Sequence, residues 1–356
     1  MSRQREVVAQ PMLLCHTFEG LCAPETWEGV GSGSLRRMAI WLNEANVRAV
    51  LPLDDLIGAM EGALIALSCG EVRQPVREVI EAGVGNFFAT MPALLTTGPA
   101  MGAKLVTVYH ENGHRGLPTH QAAIVLQDAS NGSLLAVMDG RYITEMRTAA
   151  VSAVAVRKLA RAGARTLALI GSGVQAGSHL AALRLVWNFD EVRCWSPTAA
   201  NLRRFIDAHP EVQPSESVER AVDGADVVVL VSGAVTPIVF SEWIAPGALV
   251  IGVGACRPYQ REMEGKLVAR GRLIVDSRAA ALRESGDIVM AINEGEFGAE
   301  HVAGELGEVL AGRIAGRTSD DEVIVVKPLG QAVEDVAAAQ LAYTRAAAAG
   351  IGTPLS

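Results

Sequence analysis

The chain has 356 residues, half of them apolar and a fifth charged, enough to bury a substantial core, and its length points to two domains. A net charge of −8 with no basic block argues against nucleic acid or an anionic membrane as main partner, and the longest apolar strand, Val227 to Val231, is far too short to cross a bilayer. Five scattered cysteines, Cys15, Cys22, Cys69, Cys194 and Cys256, form no Cys-x-x-Cys pair and no Cys/His cluster, so the sequence predicts reduced thiols in a cytoplasm and no metal.

Residues 1 to 38 concentrate Gly and Ser in GVGSGSLRR and lack apolar periodicity. They read as a disordered N-terminal extension or an upstream start codon. No long apolar stretch marks a secretory signal, and Glu6, Glu19, Glu25 and Glu28 argue against a transit peptide. From Met38 a short strand leads to an amphipathic helix beginning at Leu53, with Asp54 and Asp55 in its first turn. Between Val72 and Gly140, KLVTVYHENG, QAAIVLQDASNG and SLLAVMDG read as an antiparallel sheet with hairpins. Arg147 and Thr148 are expected to introduce the helix AAVSAVAVRKLARAG. Strands at Thr166 to Ile170, Glu191 to Trp195, Val227 to Val231, Leu249 to Val253 and Leu273 to Val275 then alternate with helices, which predicts a doubly wound parallel α/β sheet. EVIVVKPLG adds one more strand, and the helix AVEDVAAAQLAYTRAAAAG is expected to return to the first domain.

The stretch ARTLALIGSGVQAGSHLAAL carries the clearest chemistry. Leu167 to Ile170 form a buried strand, Gly171 makes the tight turn, Gly173 admits a phosphate to the backbone, and Ala176 replaces the third glycine where helix meets sheet. The helix is expected to start near Val174, so the amides of Ser172, Gly173, Val174 and Gln175 face the diphosphate of a dinucleotide. The bland alternative is a tight strand-helix turn. At the end of the next strand stand Trp195, Ser196, Pro197 and Thr198, with no carboxylate to repel a 2′-phosphate. With Arg203 or Arg204 nearby, NADP is favoured over NAD, although both arginines also suit a solvated helix face. Ser232, just past the strand Val227 to Val231, joins the expected cofactor set.

MPALL (Met91 to Leu95), KLVTVYHENGHRGLPTHQA (Lys104 to Ala122), LLAVMDG, ITEMRTAAVSA, IGSGVQA, VGACRP, LRESGDI and KPLGQAVED together resemble the ornithine cyclodeaminase and mu-crystallin family across residues 39 to 350. The nearer resemblance is to its ketimine-reducing mu-crystallin branch. It implies a homodimer with a substrate-binding and dimerisation domain at 39–148 and 328–356 and a Rossmann NAD(P)-binding domain at 149–327. The implied activity is NAD(P)H-dependent reduction of a 2-imino acid, such as Δ1-piperideine-2-carboxylate or Δ1-pyrroline-2-carboxylate, to an L-amino acid. Alternatives are an ornithine or lysine cyclodeaminase with recycled NAD+, an amino-acid dehydrogenase acting on an acyclic imine, and a non-catalytic small-molecule binding protein.

The resemblance makes Arg77, Lys104 and Arg147 a substrate-carboxylate site, and a guanidinium suits that task through its planar pair of donors. By residue type alone, Arg77 reads as a surface strand arginine and Lys104, at the start of KLVTVY, as solvent-facing. Arg147 reads as preceding a helix N-terminus, or as pairing with Glu145 or Asp139. Cys256 stands where cyclodeaminases carry an aspartate base and mu-crystallin a serine; a thiol replaces a carboxylate base poorly, which favours a reductase. A small buried cysteine explains Cys256 equally well. Arg257 is a further candidate for substrate or cofactor contact. His120 matches a family histidine, with a structural role as alternative. Asp335, beside Glu334, is expected to organise the site, although helix capping would also explain it. Lys327 is followed by Pro328 where the mu-crystallin branch has serine. His110, Glu111 and His114 read as exposed turn residues rather than metal ligands.

Overall fold

Apolar residues on alternate positions build the first of two sheets. In the computed structural model, which describes residues 38 to 355, the chain opens with β1 (Ile40–Leu42), α1 (Glu44–Val50) and α2 (Leu53–Ser68). The extension expected at 1–38 lies, apart from Met38, outside the described residues. β2 (Val72–Arg73), β3 (Glu78–Glu81), β4 (Phe87–Leu95), β5 (Ala100–Val108), β6 (His120–Asp128) and β7 (Leu134–Asp139) follow as the hairpin region. Alternation then sets the inner face: Ala89, Met91 and Ala93 of β4, Ala100 and Val106 of β5, and Ile124 and Leu126 of β6 are buried, while Leu105 stays exposed.

Gly140 ends β7, and α3 (Arg141–Leu159) starts at once. This corrects the expectation that the helix begins after Arg147. Ile143, Thr144, Arg147 and Val151 recur at helical spacing on its buried side, so Arg147 sits more than a turn inside the helix, away from the positive dipole end.

The second sheet is parallel throughout. It comprises β8 (Thr166–Ile170), β9 (Glu191–Trp195), β10 (Gln213–Pro214), β11 (Val227–Leu230), β12 (Leu249–Gly252), β13 (Arg272–Val275), β14 (Val302–Glu305) and β15 (Ile324–Lys327). Its connecting helices are α4 (Val174–Val186), α5 (Ala199–Ala208), α6 (Val218–Val222), α7 (Gly265–Arg270), α8 (Arg278–Glu284), α9 (Gly286–Asn293) and α10 (Leu306–Leu310). The strand order is β10-β9-β8-β11-β12-β15-β13-β14. The chain winds outward from β8 and restarts on its other side at β11, so a crevice opens past the carboxyl ends of these two strands. Leu167 and Leu169 of β8 feed one core and Ala168 and Ile170 the other, the alternation a sheet buried on both faces requires.

The chain then returns: α11 (Ala332–Ala349) packs on α2, β4 and β5, as expected, and β16 (Thr353–Pro354) pairs with β1. The first sheet has the order β16-β1-β7-β6-β5-β4-β2, with β3 also on β4. Its ladders are antiparallel except β1 with β7, which is parallel because α1, α2 and the hairpins separate the two strands.

Candidate active site

A cavity of about 360 Å³ lies between the inner face of the first sheet and the carboxyl ends of β11 and β12. Lys104, Arg147 and Arg77 line it, as do Gln175 from the start of α4 and Ser232 and Cys256 from the strand ends. The register explains Lys104, which lies mid-strand in β5 between Met91 and Ile124, on the side of the buried Gly102 and Val106. Its side chain is 2% exposed, which overturns the solvent-facing reading: strand alternation turns its head inward, where a carboxylate compensates it.

That carboxylate is Asp335, in the first turn of α11. Its Oδ2 lies 2.7 Å from Lys104 Nζ, and its Oδ1 accepts a 3.1 Å hydrogen bond from Arg147 Nε. Arg147 Nη1 donates to Glu334 Oε2 at 2.9 Å. Arg147 therefore pairs neither with Glu145, which Arg141 engages, nor with Asp139, whose Oδ1 accepts from the Arg141 backbone amide. Asp335 does not act as a helix cap, because both its oxygens serve cations; it supports Lys104 and Arg147 from beneath the cavity wall. Gly330, at φ 80°, makes room for this arrangement, since a Cβ there would run into the Arg147 guanidinium.

Burial sets the charge states. It lowers the Lys104 ammonium to about 8, with Asp335 opposing the drop and Arg147 adding to it. Burial raises the Glu334 carboxyl to about 7 against the pull of Arg147. Asp335 stays below the usual carboxylate range: burial would raise it, but Lys104 and Arg147 together outweigh that. His120, at the start of β6 and on the cavity wall, falls to about 4 through burial and the nearby Lys104 and Arg147, so its imidazole is neutral at pH 7.

Arg77 is not a surface strand arginine. It lies just before β3, donates from Nε to Glu284 Oε2 at 2.9 Å and from Nη2 to Leu329 O at 3.0 Å, and spans from the first sheet to α8. Arg257 lies over the Phe87 ring, 3.4 Å from its centroid, and also faces the cavity. Neither Glu284 nor Phe87 was legible in sequence.

The glycine turn suits a dinucleotide. Gly171 has φ 127°, and a Cβ there would stand 2.6 Å from Val231 O, whereas a Cβ on Gly173 would meet nothing within 4 Å. Gly173 caps α4 without a side-chain bond, and Ala176 is fully buried against the sheet. Ser172 Oγ and Gln175 Oε1 are buried with no partner among the described residues, polar groups that a bound diphosphate nucleotide would satisfy. Ser232 is held by the buried Glu262, whose carboxylate also accepts from the amides of Gly254 and Ala255 and so ties together the loops after β11 and β12. Sequence reasoning missed Glu262, since an acid in REMEG looks like any surface acid.

The remaining expected cofactor residues lie away from the cavity, at the end of β9. Trp195 and Ser196 are half-buried, Thr198 precedes α5, and Arg203 and Arg204 are exposed on it, Arg204 reaching only Asn201 at 3.3 Å. Lys327 is fully buried and lies 2.8 Å from Asp287 Oδ2, a pairing within the second sheet's own framework. His110, Glu111 and His114 form an exposed turn, with His114 and Glu111 3.9 Å apart, and no group of three potential metal ligands occurs among the described residues. No helix is long and apolar enough to cross a membrane among those residues.

Comparison with known proteins agrees with this architecture. The mouse ketimine reductase mu-crystallin is 44% identical over 293 residues, 81% of this chain and 91% of the mouse protein. An alanine dehydrogenase of Archaeoglobus fulgidus is 32% identical over 88% of this chain and 97% of its own length. The solved Δ1-pyrroline-2-carboxylate reductase of Thermococcus litoralis, in complex with NADH and L-proline, matches with a TM-score of 0.86 at 33% identity, over 89% of this chain and all of that one. The family model for ornithine cyclodeaminase/mu-crystallin proteins matches residues 38–350, and the chain belongs to that family.

Proposed function

We propose that the protein reduces the C=N bond of a 2-imino acid with NAD(P)H to give an L-amino acid. The observation that carries this reading is the buried Lys104 and Arg147, with the part-buried Arg77, around one small cavity that also reaches the start of α4. An amino-acid carboxylate between these cations exchanges water for charge-assisted hydrogen bonds. A bound nicotinamide supplies the hydride.

The chain's own residues bind, orient and exclude water. Gly171, Ser172, Gly173, Val174, Gln175 and Ala176 hold the diphosphate, Ser232 borders the nicotinamide end, and Trp195, Ser196, Thr198 and Arg203 face the adenosine ribose. With no carboxylate at that ribose, NADP is preferred to NAD. Lys104, Arg77 and Arg147, with Arg257 beside them, fix the substrate carboxylate so that C2 presents one face. Neutral His120 offers a single hydrogen bond, Cys256 offers a small wall rather than a base, and Asp335 keeps Lys104 charged. The substrate-binding part comprises 39–148 and 328–356 and the cofactor part 149–327, in a cytoplasmic homodimer.

A cyclic ketimine is the favoured substrate, supported by the likeness to the mouse ketimine reductase and the Thermococcus enzyme. The likeness to an alanine dehydrogenase favours an acyclic imine as the second reading. Absorbance at 340 nm with NADPH or NADH and Δ1-piperideine-2-carboxylate, Δ1-pyrroline-2-carboxylate, or pyruvate with ammonia tests both. Loss of NAD(P)H on the cyclic imines is expected. Ammonia release from L-ornithine or L-lysine without net NADH change would make the protein a cyclodeaminase instead, and ligand binding without turnover would make it a binding protein.

A further inference from the structure

Two buried side-chain oxygens on the cavity wall have no hydrogen-bond partner among the described residues. One is Gln175 Oε1, at the cofactor turn; the other is Glu334 Oε1, beside Arg147. Glu334 is fully buried, and its second oxygen is taken by Arg147 at 2.9 Å. An ionised carboxylate with an empty lone-pair side in a dry site carries a heavy desolvation cost, whereas a carboxylic acid there holds an O–H that needs an acceptor. His120 on the same wall is a neutral imidazole, and the charged groups around Arg147 are committed. Lys104 is bound to Asp335 and Thr144, Asp335 to Lys104 and Arg147, and Asp276 accepts from the amides of Leu329 and Gly330.

Building on the proposed imine reduction, we propose that Glu334 is the proton donor to the imine nitrogen. As C2 accepts a hydride, the C=N π pair moves to nitrogen and takes the Glu334 proton, forming the N–H bond while the O–H bond breaks. The amine forms and Glu334 becomes a carboxylate, whose new charge lies against the Arg147 guanidinium. The proton moves within the cavity, so protonation does not alter the net charge of the site. Glu334 then regains a proton from solvent as product leaves.

The charged groups that act on Glu334 are Arg147 from α3, Asp276 from the loop after β13 and Asp335 on its own helix. Burial, Asp276 and Asp335 hold its proton up to about 7, and Arg147 and the Gln331 backbone oppose them. The donor form is therefore lost as pH rises through about 7, before Lys104 titrates near 8.

The test compares wild type with E334Q and E334D on Δ1-pyrroline-2-carboxylate and on its N-methyl iminium, which is permanently cationic and needs no proton. E334Q keeps the bond to Arg147 but has no acidic proton. On the neutral imine it should lose about 100- to 10,000-fold in kcat with little change in KM, and should lose the pH limb near neutrality. On the iminium its loss should be at least tenfold smaller than on the neutral imine, and E334D should recover part of the neutral-imine rate. Equal losses on both substrates would reduce Glu334 to a structural partner of Arg147. A wild-type rate and an unchanged limb in E334Q would also overturn the assignment. A wild type that reduces neither substrate would overturn the proposed function itself.

Discussion

Replacing Asp335 by Asn tests the buried charge balance beneath the site. The carboxylate has no solvent exposure and stands 2.7 Å from Lys104 Nζ and 3.1 Å from Arg147 Nε. Breaking a buried ion pair from one side costs about 3–5 kcal/mol, since the partner's charge stays buried and uncompensated. Glu334 still faces Arg147, so the lower end, about 3 kcal/mol, is expected for D335N. Urea unfolding at pH 7 reads it as a lower midpoint at unchanged slope. The pH response carries a definite sign. Wild-type Lys104 is held at about 8 against an ordinary 10.5. Between these values the unfolded chain binds the proton and the folded protein does not. The lysine's contribution to stability is therefore complete above 10.5 and is lost as pH falls through about 8. Without Asp335 the folded value drops further, so this window widens downward and the alkaline limb of kcat/KM moves to lower pH. A D335N protein that unfolds within about 1 kcal/mol of wild type and keeps its alkaline limb would refute the compensation argument.

Gly171→Ala should weaken NADPH and NADH binding at least tenfold, or about 1.4 kcal/mol, with the far-ultraviolet spectrum intact, because a Cβ at φ 127° would press on Val231 O at 2.6 Å; fluorescence titration of the reduced cofactors measures it. Ser196→Asp should cut kcat/KM for NADPH about tenfold more than for NADH, by placing a carboxylate beside the 2′-phosphate. Equal effects on the two cofactors would count against the ribose assignment. His120, lowered to about 4, should show no imidazole titration by NMR between pH 5 and 8 and begin to charge only near its lowered value; a midpoint near 6.5 would place the ring in a far wetter setting than the structure does.

Short-range chemistry was legible before folding. The apolar run before Gly171 and the glycine spacing fixed β8 and the start of α4, because buried parallel strands and tight turns depend on neighbouring residues. The strand-helix alternation foretold a parallel sheet, and α11 packs back on α2, β4 and β5, as expected once the strands of the nucleotide fold were complete without it. The start of α3 was misplaced, because Arg141 to Met146 reads as a polar approach until Ile143 and Arg147 are seen on one buried stripe.

Charge placement was decided by the tertiary structure. Lys104 looks like a solvated lysine in KLVTVY, and its burial rests on Asp335, far along the chain. Arg147 meets Asp335 across 188 residues and Glu334 across 187, and Arg77 meets Glu284 across 207. The sequence alone thus determined most strands and helices, their order and the glycine turn after β8, since backbone geometry and apolar periodicity act over a few residues. Only folding decided which ionisable groups share a dry cavity and in which charge states, because Coulomb and desolvation terms depend on distance in space and on the exclusion of water, neither of which is written in local order.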